Sequence, residues 1–302
     1  MLHAKKRRLL MQIGILGKPD SWYVRELCRT GTQRGHVMQT LVFEQFRASV
    51  SGTRLSLHCG SVDVRSLDYV LVRTMSPGTL EQVVARMDVL GGLAACGVGV
   101  VNSPRGLECA VDKYLTTQRL ALAGLSVPST VVCENADAAL AAFDVLGGDV
   151  VVKPLFGSEG RGIMRVCDRE LARRAFRTLE RLGAVLYVQQ FIAGPGFDIR
   201  ILLLDGQLIG AMQRFPREGD FRANISQQGT AIRHTPTAAE LRLASAAAIA
   251  TECDFAGVDL MYAADGNPLL IEVNAVPGWK GLARVCGVDV PDRLFHWLER
   301  RA

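Results

Sequence analysis

The chain has 302 residues, 49% of them hydrophobic and 22% charged, which predicts about two folded domains and excludes a disordered chain. The net charge of +5 is concentrated in one basic run, Lys5 to Arg8, so the rest of the chain is nearly neutral and does not favour nucleic acid as a partner. No apolar run reaches the ~18 residues of a membrane span, and the cysteines lack zinc-ligand spacing. We therefore expect a cytoplasmic protein with reduced cysteines and no membrane partner.

Residues 1–10 contain the basic run and precede the first strand pattern. We interpret them as a leader without a catalytic role, because Met11 is itself a suitable translation start. A short interaction arm is the alternative. No apolar segment long enough for a secretory signal follows the basic residues.

Strand and helix patterns alternate over residues 11–103, which predicts a small parallel α/β domain. The predicted strands are 12–16, 37–43, 69–72 and 98–101, and the predicted helices are 22–34 and 79–90. Ligands of open parallel sheets bind beyond the carboxyl ends of the strands. Arg73 follows the third strand and is therefore a candidate contact for an anionic substrate, with a solvated loop arginine as the alternative.

The turn at residues 102–104 predicts a domain boundary, after which strands and helices follow in mixed order. The predicted helices are 112–123, 137–146, 171–182 and 240–253, the single strands are 129–133, 150–154, 163–166 and 185–191, and the hairpins are 199–213 and 257–273. A glycine-rich loop, Phe156 to Gly162, joins two of the strands. This arrangement fits neither a Walker loop nor a Rossmann turn.

Two carboxylates and an amide converge in the last predicted hairpin. Glu272 and Asn274 are two residues apart in one strand, so they share a face, and the hairpin brings Asp259 opposite them. Burying this much negative charge is costly unless a cation compensates it, and oxygen ligands of this kind select Mg²⁺. A polar face on an edge strand is the alternative, but it accounts poorly for an acid between Ile271 and Val273.

Phosphate groups require cations and backbone donors, and both occur near the glycine-rich loop. Lys153 ends the strand before this loop, whose glycines let backbone N–H groups approach an anion closely. Lys113 is a second candidate, with a solvated helix lysine as the alternative. Three arginines that suit a phosphate or carboxylate follow, with an exposed hairpin face as the alternative: Arg200, Arg214 and Arg222.

The order of these motifs resembles the ATP-grasp superfamily and, within it, the RimK-type α-L-glutamate ligases. The resemblance begins at Met11 and rests on DKY (112–114), VVKPLFGSEGRGI (151–163), VQQFI (188–192), DIRILLLDGQLIGAMQR (198–214), EGDFRANISQQG (218–229), AGVDL (256–260) and IEVNAVPG (271–278). It implies a small parallel α/β pre-ATP-grasp domain over 11–103, followed by a two-lobed ATP-grasp fold with lobes over 104–188 and 189–302.

The resemblance also implies ligands and assigns them to positions. It implies that the protein binds ATP and two Mg²⁺ ions, for which Mn²⁺ can substitute. The implied substrates are L-glutamate and a carboxylate acceptor, and the implied assembly is a homodimer or homotetramer. The implied phosphate contacts are Lys113 and Lys153, the loop residues Gly157, Ser158, Gly160 and Gly162, and the covering segment Arg222, Ala223 and Asn224. Gln190 and Phe191 occupy the implied adenine hinge, and Asp198 lies beside the ribose. The implied metal ligands are Asp259, Glu272 and Asn274, with Glu272 bridging two ions.

The remaining implied roles concern the reacting groups. Arg214 matches an arginine expected near the acyl phosphate, and Lys153 would offset the charge that moves onto the β–γ bridge of ATP. The candidate substrate contacts do not come from the resemblance: they are Arg73, Arg200 and Trp279, which lies in a segment, Gly278 to Gly281, where relatives vary. Trp279 would stack on a flat ring, with packing inside a loop as the alternative. Position 190 is Gln where relatives often have Glu, which affects nucleotide selectivity only if that side chain contacts the base.

The implied reaction phosphorylates an acceptor carboxylate with ATP, after which the amine of glutamate displaces phosphate. The KPLFGS loop is similar to that of the subgroup acting on pterin-type cofactors such as tetrahydromethanopterin, so we expect a small-molecule acceptor. A ligase acting on a protein C-terminus, as on a ribosomal protein, is the first alternative. A phosphotransferase and a non-catalytic nucleotide-binding module are the others, and the intact acidic set argues against the latter.

Overall fold

The computed structural model describes residues 10–157, 160–220 and 229–302, which form two compact units. The first unit consists of the chain up to Glu108 together with Val288–Ala302, and the second consists of Cys109–Gly287. Both units combine helices and sheets, so the mixed α/β class is confirmed. Within the described residues, no helix has both the length and the apolar composition needed to cross a membrane.

A four-stranded parallel sheet forms the core of the first unit. The elements in chain order are β1 (Gln12–Leu16), α1 (Trp22–Gln33), β2 (Val37–Leu41), β3 (Phe46–Ser51), β4 (Arg54–Cys59), β5 (Val62–Asp63), β6 (Tyr69–Val72), α2 (Leu80–Ala95), β7 (Gly99–Val101) and α3 (Pro104–Val111), with 3₁₀ turns at Phe43–Gln45 and Val64–Ser66. The parallel sheet has the order β2-β1-β6-β7. Its strands are those that the sequence predicted.

A second sheet in this unit, β3-β4-β5, is antiparallel and was not predicted. The side chains of β3 after Phe46 are all exposed, so the strand lacks the alternation of apolar and polar residues that reveals a half-buried strand. The predicted strand 37–43 ends at Leu41, because Phe43 already begins the 3₁₀ turn that leads into this sheet.

The second unit contains two antiparallel sheets. Its elements are α4 (Lys113–Leu122), β8 (Thr130–Cys133), α5 (Ala136–Val145), β9 (Val150–Lys153), β10 (Met164–Val166), α6 (Arg169–Arg181), β11 (Leu186–Gln190), β12 (Asp198–Leu204), β13 (Gln207–Phe215), β14 (Thr230–Arg233), α7 (Ala238–Ala250), β15 (Phe255–Tyr262), β16 (Pro268–Asn274) and α8 (Lys280–Cys286). The sheet orders are β10-β9-β11-β8 and β14-β13-β12-β15-β16. Helices α5 and α6 cover the first sheet through a core that includes Phe143, Phe176 and Val188.

Both predicted hairpins of the second unit are confirmed. Asp205 and Gly206 join β12 to β13 with φ angles of 52° and 70°, the left-handed pair that a tight two-residue hairpin requires. The other hairpin, β15 with β16, has a register shift after Asp259 that leaves Ile271 as the extra residue. Such a bulge re-aims the neighbouring side chains.

The last helix, α9 (Val290–Arg301), belongs to the first unit, whereas the sequence assigned residues 189–302 to the last lobe. Its apolar side, including Phe295, packs on α1, and a Cβ at Gly31 would lie 2.9 Å from the Phe295 ring. Arg34 donates Nε to Glu299 Oε1 (2.9 Å) and a terminal nitrogen to Oε2 (2.6 Å). The apolar face of α9 is therefore buried within the first unit, and the domain bounds given by the sequence stay predictions.

Candidate active site

One face of the five-stranded sheet carries a row of charged side chains. The antiparallel register places Arg214 opposite Asp198, Arg200 opposite Asp259, and Asp259 opposite Glu272. Residues directly opposite one another share a face, and so do residues two apart in one strand. The predicted meeting of Asp259 and Glu272 is therefore confirmed, and the sheet adds two arginines and a third carboxylate to it.

Asn274 lies next along this face, opposite Gly257. Its Oδ1 accepts the backbone N–H of Val276 at 2.8 Å, which orients the amide. A Cβ at Gly257 would lie 3.0 Å from Pro277, so the glycine lets the chain after Asn274 pass closely over β15.

Asp259 is buried and accepts three charged hydrogen bonds. Arg200 donates Nε to Oδ1 (2.7 Å) and a terminal nitrogen to Oδ2 (2.6 Å), and Arg214 donates to Oδ2 (2.8 Å). Burial acts to raise the pKa of Asp259, but the charges of the two arginines outweigh it and hold the pKa below its usual value.

Arg214 is the most enclosed cation of this face, with a side chain only 3% exposed. It also donates Nε and a terminal nitrogen to the two oxygens of Asp198, at 2.6 and 2.7 Å. Burial opposes its charge, but Asp259 and Asp198 outweigh burial and raise the pKa of Arg214. Burial prevails at Asp198 and raises its pKa. Arg214 therefore acts as the counter-ion of the buried Asp259 and the partly buried Asp198, so the carboxylate predicted beside the ribose is already engaged.

Lys153 ends β9 as predicted and is held by polar side chains that the sequence analysis missed. Its Nζ donates to Gln189 Oε1 (2.6 Å), and Gln189 donates to Tyr187 Oη (3.0 Å) and Thr130 Oγ1 (2.9 Å). Burial lowers the pKa of Lys153 to about 8, although Glu272 acts in the opposite direction. Pairing of β9 with β11 places Tyr187 opposite Lys153, and alternation along VQQFI was the signal that could have revealed Gln189.

Lys113 and the glycine-rich loop lie together. Lys113 Nζ donates to the carbonyl of Gly157 at 2.9 Å, and burial lowers its pKa. Gly157, Gly160 and Gly162 have φ angles of 143°, 71° and 72°, which side chains rarely adopt. A Cβ at Gly162 would also lie 2.9 Å from Pro154. The backbone conformation at these three positions therefore depends on glycine.

The predicted adenine hinge connects the two sheets of this unit. The N–H of Gln190 donates to the carbonyl of Ser129 (2.9 Å), and the N–H of Phe191 donates to that of Asp149 (3.0 Å). The guanidinium of Arg165 lies 3.6 Å from the centre of the Phe191 ring. A base at this segment would therefore be contacted by backbone groups other than these two N–H groups.

Trp279 corrects the prediction of a stacking residue. Its side chain is fully buried, and its ring packs against Phe255 with centroids 5.7 Å apart. A ring without exposed surface cannot stack on a substrate, so the packing alternative is the correct one.

Arg73 lies at the carboxyl end of β6 in the first unit, as predicted. Its guanidinium carbon is 5.2 Å from the centre of the Tyr23 ring. Burial lowers the pKa of Arg73 to about 10. The side chain is partly buried, and its role as a substrate contact stays a prediction.

Some predicted residues lie outside the described part of the chain. They are Ser158 in the glycine-rich loop and Arg222, Ala223 and Asn224 after the central hairpin. Their assignments stay predictions.

A groove of about 780 Å³ opens between the connector after β11, helix α7 and the tip of the β15–β16 hairpin. Its lining includes Ala239 of α7 and the connector residues 190–193. Tyr262, three residues beyond Asp259 and hence on the opposite face, donates to Glu240 of α7 at 2.7 Å. Helix α7 therefore covers the face opposite to the charged one, and the lining of the groove contains none of the charged residues of that face.

The donor set suits a hard divalent cation. Among the described residues, no group of three or more His, Cys, Asp or Glu side chains is able to hold a metal ion. The candidate ligands are instead two carboxylates, Asp259 and Glu272, and one amide, Asn274. Mg²⁺ commonly binds one or two carboxylates and completes its shell with phosphates and water. Within the described part of the chain Glu272 forms no ion pair, whereas Arg200 and Arg214 already occupy three of the about four acceptor positions of the Asp259 carboxylate.

Comparison with protein families covers nearly the whole chain. Residues 11–107 match the RimK PreATP-grasp domain, and residues 110–298 match the RimK-like ATP-grasp domain. The tetrahydromethanopterin:alpha-L-glutamate ligase of Methanosarcina acetivorans is 32% identical, over 96% of this chain and 99% of its own. The ribosomal protein bS6–L-glutamate ligase of Salmonella paratyphi B is 31% identical, over 97% of both chains.

Solved structures with the same fold include the ATP-grasp ligase PsnB complexed with a minimal precursor. It has a TM-score of 0.76 and 20% identity, over 97% of this chain and 100% of the other. A RimK domain ATP-grasp protein from Sphaerobacter thermophilus has a TM-score of 0.71 and 24% identity, over 93% and 96%. These likenesses confirm the predicted ATP-grasp architecture.

Proposed function

The chain belongs to the RimK-like ATP-grasp family of glutamate ligases, and from that premise we propose that it joins L-glutamate to the carboxylate of a pterin-type small molecule. The observation that carries the ligase chemistry is the charged sheet face, where Asp259 and Glu272 lie opposite each other, together with Lys153, whose Nζ is held by Gln189. The relative named for tetrahydromethanopterin and the KPLFGS loop support the choice of acceptor.

The first chemical step transfers the γ-phosphoryl group of ATP to the acceptor. An acceptor oxygen bonds to the γ-phosphorus as the bond to the bridging oxygen breaks, which gives an acyl phosphate and ADP. We propose that Lys153, Lys113 and the loop containing Gly157 and Gly162 hold the phosphates, and that Gln190 and Phe191 adjoin adenine. Fixed cations near the transferred group act by positioning and by charge stabilisation.

The second step forms the amide. The amine nitrogen of glutamate attacks the acyl carbon, the bond to the phosphate oxygen breaks, and the nitrogen loses a proton. Asp259, Glu272 and Asn274 would hold Mg²⁺, which when bound supplies positive charge for the phosphates. Arg200 and Arg73 are the proposed substrate contacts. We also propose that the protein binds two Mg²⁺ ions, for which Mn²⁺ can substitute. We further propose that it forms a homodimer or homotetramer and is located in the cytoplasm.

Glutamylation of a protein C-terminus is the second candidate, because relatives named as ribosomal protein bS6 ligases are 31% identical over the same length. Mass spectrometry separates the two. The enzyme is incubated with ATP, Mg²⁺ and glutamate, and with either a reduced pterin bearing a free carboxylate or a peptide ending in glutamate. A glutamyl increment on the pterin with matching ADP supports the proposal. An increment on the peptide alone refutes the pterin assignment.

A further inference from the structure

The two arginines that hold Asp259 differ in their other contacts. Arg214 also neutralises Asp198 and is 3% exposed, so its removal would leave the buried Asp259 and the partly buried Asp198 short of a cation. The side chain of Arg200, which is 12% exposed, donates among the described residues only to Asp259. Arg200 can therefore move away from Asp259 without leaving that carboxylate uncompensated, because Asp259 keeps its hydrogen bond from Arg214.

A cation and Arg200 compete for the same atoms. Oδ1 of Asp259 accepts Arg200 Nε, while Oδ2 accepts terminal nitrogens from both Arg200 and Arg214. Three of the about four lone-pair positions of the Asp259 carboxylate accept hydrogen bonds from the two arginines, so a Mg²⁺ ion bound to this carboxylate at about 2.0–2.1 Å competes with Arg200 for the same oxygens. Like charges so close repel strongly in a buried site.

We propose that Arg200 is a clamp that metal binding releases: it holds Asp259 in the metal-free site, leaves when a cation binds Asp259 and Glu272, and then binds an oxyanion of the reacting carboxylate or phosphoryl group. The clamp deepens the proposed function and rests on its metal assignment. The face carries two arginines and three carboxylates, so one divalent ion changes its net charge from −1 to +1. An anion is then favoured where a cation was favoured before.

Titration of Mn²⁺ alone into the nucleotide-free full-length chain tests the clamp, with free Mn²⁺ measured by electron paramagnetic resonance. Arg200→Met should tighten Mn²⁺ binding about ten-fold, about 1.4 kcal/mol, because the competing cation is gone. Arg200→Lys keeps the charge but not the two-pronged geometry, so it should tighten binding by less. Arg169→Met is the matched control, because Arg169 forms a similar two-pronged pair with Asp144 at the surface, and it should leave Mn²⁺ affinity unchanged.

Glu272→Gln separates failure of the clamp from failure of the metal assignment. If this variant binds Mn²⁺ as tightly as the wild type, the assignment is wrong and the clamp is wrong with it. If Glu272→Gln weakens binding but Arg200→Met leaves it unchanged or weaker, the clamp alone is refuted. Near-UV circular dichroism checks folding, and Arg200→Lys provides the test if Arg200→Met does not fold.

The anion side of the proposal has its own measurement. Binding of inorganic phosphate is measured by calorimetry in the presence of Mn²⁺ and ADP. Arg200→Met should weaken it at least ten-fold, while without metal both proteins should bind phosphate equally weakly. Equal phosphate affinity of wild type and Arg200→Met in the presence of Mn²⁺ and ADP would overturn the second role of Arg200.

Discussion

Replacing Arg214 with Leu should destabilise the second unit strongly. The change removes the cation shared by two acids whose side chains are only 14% and 4% exposed, Asp198 and Asp259, and leaves Arg200 with Asp259 alone. Breaking a buried pair by removing one partner costs about 3–5 kcal/mol, because the remaining charge stays buried and uncompensated. At about 2–4 °C per kcal/mol for a unit of this size, the melting temperature should fall by about 10 °C.

The matched control is Arg169→Leu, which removes an exposed two-pronged pair with Asp144 and should cost about 1 kcal/mol or less. Both variants are compared with the wild type by differential scanning calorimetry and urea unfolding. Burial already raises the pKa of Asp198, so lowering the pH should protonate it and shrink the loss in Arg214→Leu. A loss within 1 kcal/mol of the control would refute the assignment of Arg214 as a buried counter-ion.

Three further predictions concern other parts of the site. Nucleotide affinity, measured with a fluorescent ATP analogue, should fall as pH rises from 7 to 9, because Lys153 has a pKa of about 8 in the free protein, and Lys153→Met should abolish this dependence. In the unfolded chain Lys153 has its ordinary pKa of 10.5, so between pH 7 and 9 the unfolded state binds more protons than the folded state. The free energy of unfolding should therefore rise with pH over this range, and a fall would contradict the lowered pKa of Lys153. Trp279→Ala should cost about 3–5 kcal/mol in urea unfolding, whereas Trp279→Phe should fold and keep its KM for the acceptor, and a large KM increase in Trp279→Phe would restore the stacking role. Gly162→Ala should raise the KM for ATP. The control is Gly52→Ala, which changes another left-handed glycine far along the chain and should leave this KM unchanged. Equal effects of the two variants would show that the loop conformation is unimportant for ATP binding.

The hairpin that positions Asp259 against Glu272 was predictable because its signals are local. Alternation in each strand and a short turn fix which side chains share a face, and the register in the structure agrees. The two arginines were visible as residues but not as partners of Asp259. Their pairing depends on the order β13-β12-β15, which brings together strands far apart in sequence.

The packing of α9 and of Trp279 depends on contacts between distant residues. The pattern of α9 does not reveal that its Phe295 packs against Gly31, more than 250 residues earlier. A tryptophan after the metal motif fits stacking and packing equally well, and only its complete burial against Phe255 decides between them. Sequence patterns predict which residues share a face of a helix or strand. Whether that face is buried depends on which distant part of the chain packs against it.

Transfer of an oxygen isotope tests the central claim most directly. The acceptor identified by mass spectrometry is labelled with ¹⁸O in its carboxylate and converted with ATP, Mg²⁺ and glutamate. An acyl phosphate requires that one labelled oxygen leave with phosphate, so we expect one ¹⁸O in inorganic phosphate for each glutamate added, and none with Glu272→Gln, which should not turn over. Unlabelled phosphate released together with glutamylated product would contradict the account.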